Sequence, residues 1–142
     1  MPAPVNKLKS AVWAGEMQIG IWLALTSPAI AEMAGGAGFD WCLIDGEHGP
    51  NDLPLIEAQV RALQAVNASA IVRVPQGENW LLKQVLDIGA QSILVPMVET
   101  AEQAAKVVAA CKYAPEGNRG VGYALARASS YNSITDYAQT AN

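Results

Sequence analysis

Two carboxylates and a histidine lie within four positions of the sequence, at Asp45, Glu47 and His48, and His48 is the chain's one histidine. Histidine exchanges protons near neutral pH more readily than other side chains, and a neighbouring carboxylate increases the basicity of an imidazole. The segment therefore predicts a general base that abstracts a proton. The alternative is an ordinary histidine in a surface loop, beside acids that are solvated.

Two further charges stand among apolar residues, Arg73 and Asp87. A guanidinium near the end of an apolar run should face a cavity or an anion, such as a carboxylate or a developing enolate oxygen. A structural ion pair with an acid on a neighbouring strand is the alternative for Arg73. Asp87 closes a predicted helix, where the helix dipole disfavours negative charge, so a partner should compensate it. His48 would serve, although an exposed acid in a last turn is equally ordinary.

Four short apolar runs can carry these side chains on strands, over residues 20–25, 41–45, 68–74 and 92–98. Each run is near-continuously apolar, as is typical of parallel strands that are covered on both faces. Helical patterns separate the runs, which indicates strand-helix units. Functional groups of such folds collect at the carboxyl ends of the strands. The residues predicted to lie at that edge are Trp22, Thr26, Asp45, Glu47, His48, Arg73 and Glu99.

Capping signals delimit the helices between these strands. Ser27 before Pro28 predicts a helix start, and Gly35 with Gly36 predicts a left-handed stop. The remaining signals are Asn51 or Asp52 as a cap, Asn79 as a start with Gly89 as its stop, and a capping box of Thr100 with Gln103. Later prolines and glycines predict a long loop over residues 114–132, followed by a short helix over residues 134–139.

Two architectures accommodate four strand-helix units, an open doubly wound sheet and one half of an eight-stranded barrel. Periodicity alone does not choose between them. A dinucleotide-binding sheet needs a glycine-rich turn directly after the first strand, whereas residues 25–28 read Leu-Thr-Ser-Pro. The sequence therefore argues against a nucleotide-binding domain.

Composition excludes several classes of partner. The 142 residues are 51% hydrophobic and 15% charged, with a formal net charge of -4, which is the balance of a globular domain. Lys and Arg are not clustered, so nucleic acid is not an expected partner. No apolar run is long enough for a membrane span, and Cys42 and Cys111 lack the close spacing of a redox or metal pair. We expect a reduced, cytoplasmic protein.

Several segments together resemble the class II pyruvate aldolases that cleave 4-hydroxy-2-oxo acids, including 4-hydroxy-2-oxoheptanedioate and 2-keto-3-deoxy-sugar-acid aldolases. The resemblance runs along essentially the whole chain. The most specific segments are Ile-Asp-Gly-Glu-His at residues 44–48 and Arg-Gly-Val-Gly at residues 119–122. The others lie at residues 20–23, 38–41, 72–73 and 94–97. The resemblance implies the N-terminal half of a TIM (β/α)8 barrel, with residues 1–142 as part of one barrel domain.

The resemblance also implies a mechanism. A divalent metal ion, with Mg, Mn or Co expected, holds pyruvate and acidifies its methyl protons. The histidine that matches His48 transfers the proton, the arginine that matches Arg73 stabilises the transition state, and the aspartate that matches Asp87 increases the basicity of the histidine. Trp22, Asp45 and Glu47 are implied to contact the substrate or the outer shell of the metal.

The same resemblance places the direct metal ligands, a glutamate and an aspartate, on later strands, so no direct ligand is expected within these residues. A half barrel would expose two sheet edges and an apolar interior. We therefore expect the C-terminal half of the barrel as a partner, and a homo-oligomer in which residues 119–131 pack against a neighbouring subunit. The alternatives are a non-catalytic truncated half barrel and a related lyase acting on a CoA thioester.

Overall fold

The computed structural model describes residues 2–142 and arranges them as strands and helices that alternate along the chain. The strands are β1 (Gly20–Leu23), β2 (Trp41–Asp45), β3 (Ser69–Arg73) and β4 (Ser92–Leu94). The helices are α1 (Lys7–Trp13), α2 (Pro28–Gly36), α3 (Leu53–Gln64), α4 (Asn79–Asp87), α5 (Ala101–Cys111) and α6 (Tyr137–Thr140). Two short 3-10 helices, Tyr123–Leu125 and Arg127–Ser129, interrupt the segment between α5 and α6.

The four strands form one parallel sheet in the order β1-β2-β3-β4. A doubly wound sheet reverses its strand order at a switch point, whereas a (β/α)8 barrel adds each strand beside the one before it. The unreversed order is therefore the order of a barrel. It resolves the choice that the periodicity of the sequence left open.

The main core lies between the sheet and helices α2, α3 and α4. Strand side chains alternate between faces, so Cys42 and Ile44 point toward the helices while Leu43 and Asp45 point to the other face. Leu43 is only 1% exposed yet lies outside the helix-side cluster. The second face of the sheet is thus the one that carries the charged residues.

The N-terminal segment and the C-terminal segment meet at the amino ends of the strands. The amide of Ala3 donates to Thr140 Oγ1 at 2.8 Å, and Asn6 Nδ2 donates to the Gln91 carbonyl at 2.9 Å. A second small core forms there from Tyr113, Ile134 and Tyr137. These contacts fasten the long segment after α5 to the same end of the sheet.

Most of the helix boundaries agree with the capping signals. The side chain of Ser27 accepts the amide of Ile30, Asp52 rather than Asn51 caps α3, and the capping box of Thr100 with Gln103 is present. Gly89 has the positive φ of 102° expected of a helix stop. These are the strongest local signals in the sequence, and they are confirmed.

Three local predictions are wrong. The left-handed stop after α2 is Gly38, with φ 99°, while Gly35 faces α3, where a Cβ would lie 2.6 Å from Val66 Cγ2. Strand β4 ends at Leu94, because Pro96 lacks an amide donor and Met97 has φ 56°. The last helix covers Tyr137–Thr140 instead of residues 134–139.

Helix α1 was not predicted, and it is short and carries no buried residue. Its start is stabilised by the side chain of Asn6, which accepts the amide of Lys9 at 3.0 Å. Within residues 2–142, no helix has both the length and the apolar character that crossing a membrane requires.

Candidate active site

A tight turn follows β2 and carries the acidic segment. The Asp45 carboxylate accepts the backbone amides of Glu47 at 3.0 Å and His48 at 3.2 Å, both through Oδ1. The amide of Gly46 donates to the carbonyl of Arg73 at 2.8 Å, and a Cβ at Gly46 would lie 2.8 Å from that same oxygen. The turn is thus closed by the side chain of its first residue, Asp45, and it contacts β3 through Gly46.

Arg73 is held between two carboxylates. Its partner across the ladder is Asp45, because the register of β2 and β3 sets the two residues side by side. Arg73 Nε donates to Asp45 Oδ1 at 2.9 Å and Nη2 donates to Oδ2 at 2.7 Å, a bidentate pair. Nη1 lies 2.8 Å from Glu47 Oε2, and the ring of Trp22 lies 4.6 Å from the guanidinium carbon.

The ion pair fixes the charges of both partners. The hydrogen bonds from Arg73 hold the pKa of the Asp45 carboxyl well below its usual range, at about 2, against the opposing effect of burial. The same hydrogen bonds raise the pKa of the Arg73 guanidinium. Asp45 is therefore an anion and Arg73 a cation throughout the physiological range.

One carboxylate oxygen of Glu47 has no hydrogen-bond donor among residues 2–142. Its Oε2 is buried and within 2.8 Å of Arg73 Nη1, but the geometry is not that of a hydrogen bond, and no described residue donates one to it. A buried carboxylate oxygen of this kind can accept a hydrogen bond from a water molecule. It fits an outer-shell position better than a direct one, since its charge already faces Arg73.

Direct coordination of a metal ion requires several converging ligands. Across residues 2–142, no group of three or more His, Cys, Asp and Glu side chains is arranged to hold an ion. Both oxygens of Asp45 are occupied by Arg73. The residues described here fit a role around a metal-bound water, and the direct ligands stay a prediction for residues outside this chain.

The imidazole of His48 lies at the rim of this group. Its Nε2 is 3.8 Å from Glu47 Oε1, and 75% of the side chain is exposed, against 19% for Glu47. We name Trp22, Asp45, Glu47, His48 and Arg73 the carboxyl-end cluster. Of the residues predicted to lie at this edge, the structure brings these five together, and His48 is the most exposed of them.

Asp87 does not join this cluster. Helix α4 runs back from the carboxyl ends of the strands toward their amino ends, and Asp87 is its last residue. The nine residues of α4 span about 13 Å. Asp87 Oδ1 instead accepts from Arg119 Nη2 at 2.6 Å, and the guanidinium carbon of Arg119 lies 4.5 Å from the ring of Tyr113. We name Asp87, Arg119 and Tyr113 the amino-end cluster.

A second group of residues, Asn51 and Gln59, supports the turn and was not predicted as part of the site. Asn51 Nδ2 donates to the Asp45 carbonyl at 2.8 Å, and Gln59 Nε2 donates to Asn51 Oδ1 at 2.7 Å. Asn51 was considered only as a helix cap. Gln59 lies three residues after Ile56 and four before Leu63, so its spacing placed it on the buried face of α3. That spacing was the available signal.

Comparison with known proteins identifies close relatives. Residues 18–140 match the HpcH/HpaI aldolase/citrate lyase family. A protein of Agrobacterium fabrum described as hydroxypyruvate/pyruvate aldolase is 56% identical over 142 residues, covering 100% of this chain and 53% of that protein. A 4-hydroxy-2-oxovalerate aldolase of Novosphingobium aromaticivorans is 54% identical over 143 residues, covering 100% of this chain and 54% of that protein.

A solved structure supports the same relationship. The crystal structure of an HpcH/HpaI aldolase/citrate lyase family protein from Burkholderia cenocepacia has a TM-score of 0.92 and 39% identity, covering 96% of this chain and 56% of that chain. The chain spans about half the length of the curated relatives it matches. Together with the strand order, this confirms the predicted fold, four βα units as in the first half of a (β/α)8 barrel.

Proposed function

This chain belongs to the HpcH/HpaI aldolase/citrate lyase family, and from that premise we propose that it forms the first half of a metal-dependent pyruvate aldolase. The proposed reaction is the reversible cleavage of a 4-hydroxy-2-oxo acid to pyruvate and an aldehyde. The names of the relatives support pyruvate chemistry. The direct metal ligands are proposed to lie on the later strands of the barrel, outside residues 1–142.

The net charge of the carboxyl-end cluster is the observation that carries this proposal. Asp45 and Glu47 contribute two negative charges and Arg73 one positive charge, within 2.9 Å contacts of one another. A cluster with a net charge of about -1 repels the carboxylate of a 2-oxo acid. A divalent cation, Mg, Mn or Co, would reverse that sign, bind the carboxylate and keto oxygens, and acidify the methyl protons.

His48 acts as the base in this proposal. In the direction of synthesis its imidazole removes a methyl proton from pyruvate, and the carbon that loses the proton attacks the carbonyl carbon of the aldehyde. The imidazolium formed in that step gives its proton to the aldehyde oxygen, which becomes the C4 hydroxyl. In the direction of cleavage the imidazole takes the proton of that hydroxyl, the C3–C4 bond breaks, and the imidazolium returns the proton to C3. The exposure of the side chain, 75%, leaves the base free to meet a substrate that the second half of the barrel would cover.

Arg73 stabilises the negative charge that develops on the keto oxygen. A guanidinium has five N–H donors, and the contacts to Asp45 and Glu47 leave others available. Trp22 and the two carboxylates prevent the guanidinium from rotating, so its donors are oriented before the substrate arrives. Asp45 and Glu47 are also placed to accept from waters around the cation.

The role proposed for Asp87 requires a second copy of the chain. Within one chain it lies at the end of the sheet opposite His48 and is paired with Arg119. An increase in the basicity of His48 by Asp87 would then operate between subunits of a homo-oligomer. Exposed Val121 and Leu125, at 72% and 89%, lie in the loop beside Asp87 and offer an apolar surface for that contact.

A chimera tests the proposal directly. This chain replaces the matching first half of the Agrobacterium fabrum relative, and pyruvate release from 4-hydroxy-2-oxo acids is measured with Mg, Mn or Co and after chelation. We expect release that depends on the added ion. A folded chimera that releases no pyruvate with any of these ions would favour the non-catalytic half barrel, and turnover of CoA thioesters alone would favour the related lyase. Cell fractionation would test the expectation that the protein is cytoplasmic.

A further inference from the structure

Gln59 is a polar side chain in the middle of an apolar surface. It is 0% exposed, on the face of α3 that also buries Ile56, Val60 and Leu63. Its Nε2 donates to Asn51 Oδ1 at 2.7 Å and to the Leu55 carbonyl at 3.2 Å, while its Oε1 is buried without a hydrogen-bond partner among residues 2–142. An unpartnered buried amide oxygen is destabilising, because it loses its hydrogen bonds to water without replacement. An apolar side chain of similar volume would pack there without that cost, so stability does not explain the glutamine.

Gln59, Asn51 and the Asp45 carbonyl form a chain of hydrogen bonds, which we name the relay. Its direction is determined by the carbonyl at its end. The Asp45 carbonyl can only accept, so Asn51 must present Nδ2 to it at 2.8 Å. Asn51 Oδ1 is then left as an acceptor, and Gln59 Nε2 is the donor that satisfies it. A glutamate at position 59 has the same shape but would place two acceptors against each other. The site therefore selects an amide by its chemistry.

The relay ends on the turn that carries the proposed base. The residue whose carbonyl it binds, Asp45, also accepts the amides of Glu47 and His48 through its side chain. The turn is tightly closed at Gly49, where a Cβ would lie 2.5 Å from the Asp45 carbonyl oxygen. The relay from α3 thus joins the end of the turn, at Asn51, to its start at Asp45, and the Asp45 carboxylate in turn holds the amides of Glu47 and His48 between them.

We propose that Gln59 is a positioning residue, which acts through Asn51 to hold the turn of residues 45–51 and thereby sets where the His48 imidazole is presented. The catalytic consequence rests on the function proposed above, whereas the positioning itself does not. The buried face of α3 would then control proton transfer through a two-residue relay.

Hydrogen exchange tests the positioning without any assay of activity. Backbone exchange is measured by mass spectrometry in Gln59→Met, in both the 142-residue chain and the chimera. We expect exchange in the peptide covering residues 46–48 to accelerate about tenfold, while the peptide covering residues 69–73 keeps its protection. Gln64→Met, a glutamine at the other end of the same helix, is the matched control and should leave the turn protected. Unchanged exchange in the turn, or equal loss across the sheet, would overturn the proposal.

Asn51→Ala and Gln59→Glu provide independent variants if the core does not tolerate methionine. Asn51→Ala removes the relay from the surface side, and the double variant Asn51→Ala with Gln59→Met should lose no more turn protection than either single change. Gln59→Glu should match Gln59→Met despite its shape. Additive losses would mean that the two residues act separately and would contradict the relay.

Kinetics of the chimera test the consequence for the base. For Gln59→Met we expect kcat to fall about tenfold while KM for the 2-oxo acid stays within about twofold, because Arg73 and Asp45 keep their own contacts. A change confined to KM would contradict a role in presenting His48. If the parent chimera itself releases no pyruvate, the proposed function fails, and the exchange measurement still decides whether Gln59 holds the turn.

Discussion

The two ends of the sheet carry the same three components, an arginine, an aspartate and an aromatic ring, with different results. At the carboxyl end Arg73 is bidentate to Asp45 and lies 4.6 Å from the Trp22 ring. At the amino end Arg119 makes one contact with Asp87 and lies 4.5 Å from the Tyr113 ring. The first cluster adds Glu47 and an exposed histidine, which leaves it negative, whereas the second is neutral. An ion pair is common to both ends, so the proposed function rests on the excess negative charge beside an accessible histidine at the carboxyl end.

The amino-end cluster is buried more deeply than the carboxyl-end cluster. The Arg119 side chain is 3% exposed and its Nε has no hydrogen-bond partner within residues 2–142, while Arg73 is 16% exposed and paired through three nitrogens. Burial also raises the pKa of Tyr113 to about 12, so its hydroxyl stays protonated. The amino-end cluster is thus a packed support for the segment after α5. The carboxyl-end cluster remains open to a ligand.

Matched arginine substitutions should give the largest difference between the two ends. Arg73→Met leaves Asp45, 7% exposed, and Glu47 without their counter-charge, and should lower the free energy of unfolding by about 3–5 kcal/mol. Arg119→Met leaves a single carboxylate that is 23% exposed and can be hydrated, so its loss should be about 1–2 kcal/mol. Urea unfolding of the chimera at pH 7 measures both. Equal losses would mean that the clusters do the same structural work.

Removing the imidazole should separate the clusters by activity instead of stability. His48→Ala should lower turnover of the chimera by about 100-fold or more, the usual effect of losing a general base. Its stability should hardly change, because the side chain is 75% exposed. Pyruvate release and urea unfolding are measured on the same preparation. Retained turnover would remove His48 from the proposed mechanism.

The carboxyl-end cluster was predictable because its signals are local. Residues 45–48 are adjacent in sequence, and Arg73 joins them through strand register, which follows from placing parallel strands side by side. The pairing of Asp87 with Arg119 was not predictable, because the residues are 32 positions apart and the second lies in a loop without periodicity. The end of β4 was missed although Pro96, which cannot donate to the ladder, signals it in the sequence, whereas the positive φ of Met97 has no such signal. Residues close together in the sequence were therefore predicted correctly, whereas the contact between distant residues was not.

The depressed pKa of Asp45 predicts a dependence of stability on pH. Its carboxyl has a pKa of about 2 in the folded protein, below its ordinary value of 3.8. Its contribution is therefore complete above pH 4 and is lost as the pH falls from 4 toward 2. Asp45→Asn should be less stable than the parent by about 2 kcal/mol at pH 7, and the difference should shrink at low pH.

The control for Asp45 is another aspartate that accepts backbone amides. Asp52→Asn changes the cap of α3, where aspartate and asparagine serve almost equally, so its difference from the parent should be within about 0.5 kcal/mol. Unfolding curves at pH 7, 4 and 2.5 measure all three proteins. A difference between Asp45→Asn and the parent that is independent of pH would show that charge is not what the pair contributes.

Mixing two inactive variants tests whether the two ends of the sheet ever work together. In one chain the His48 and Asp87 side chains occupy opposite ends, so each site of the proposed oligomer would take its histidine from one subunit and its aspartate from another. Chimeras carrying His48→Ala and Asp87→Asn should each be impaired, and refolding them as a mixture should restore turnover by roughly tenfold over either alone. The restored sites are those in which both native residues face each other. A mixture no more active than its parts would confine Asp87 to its ion pair with Arg119, and the two clusters would then be independent.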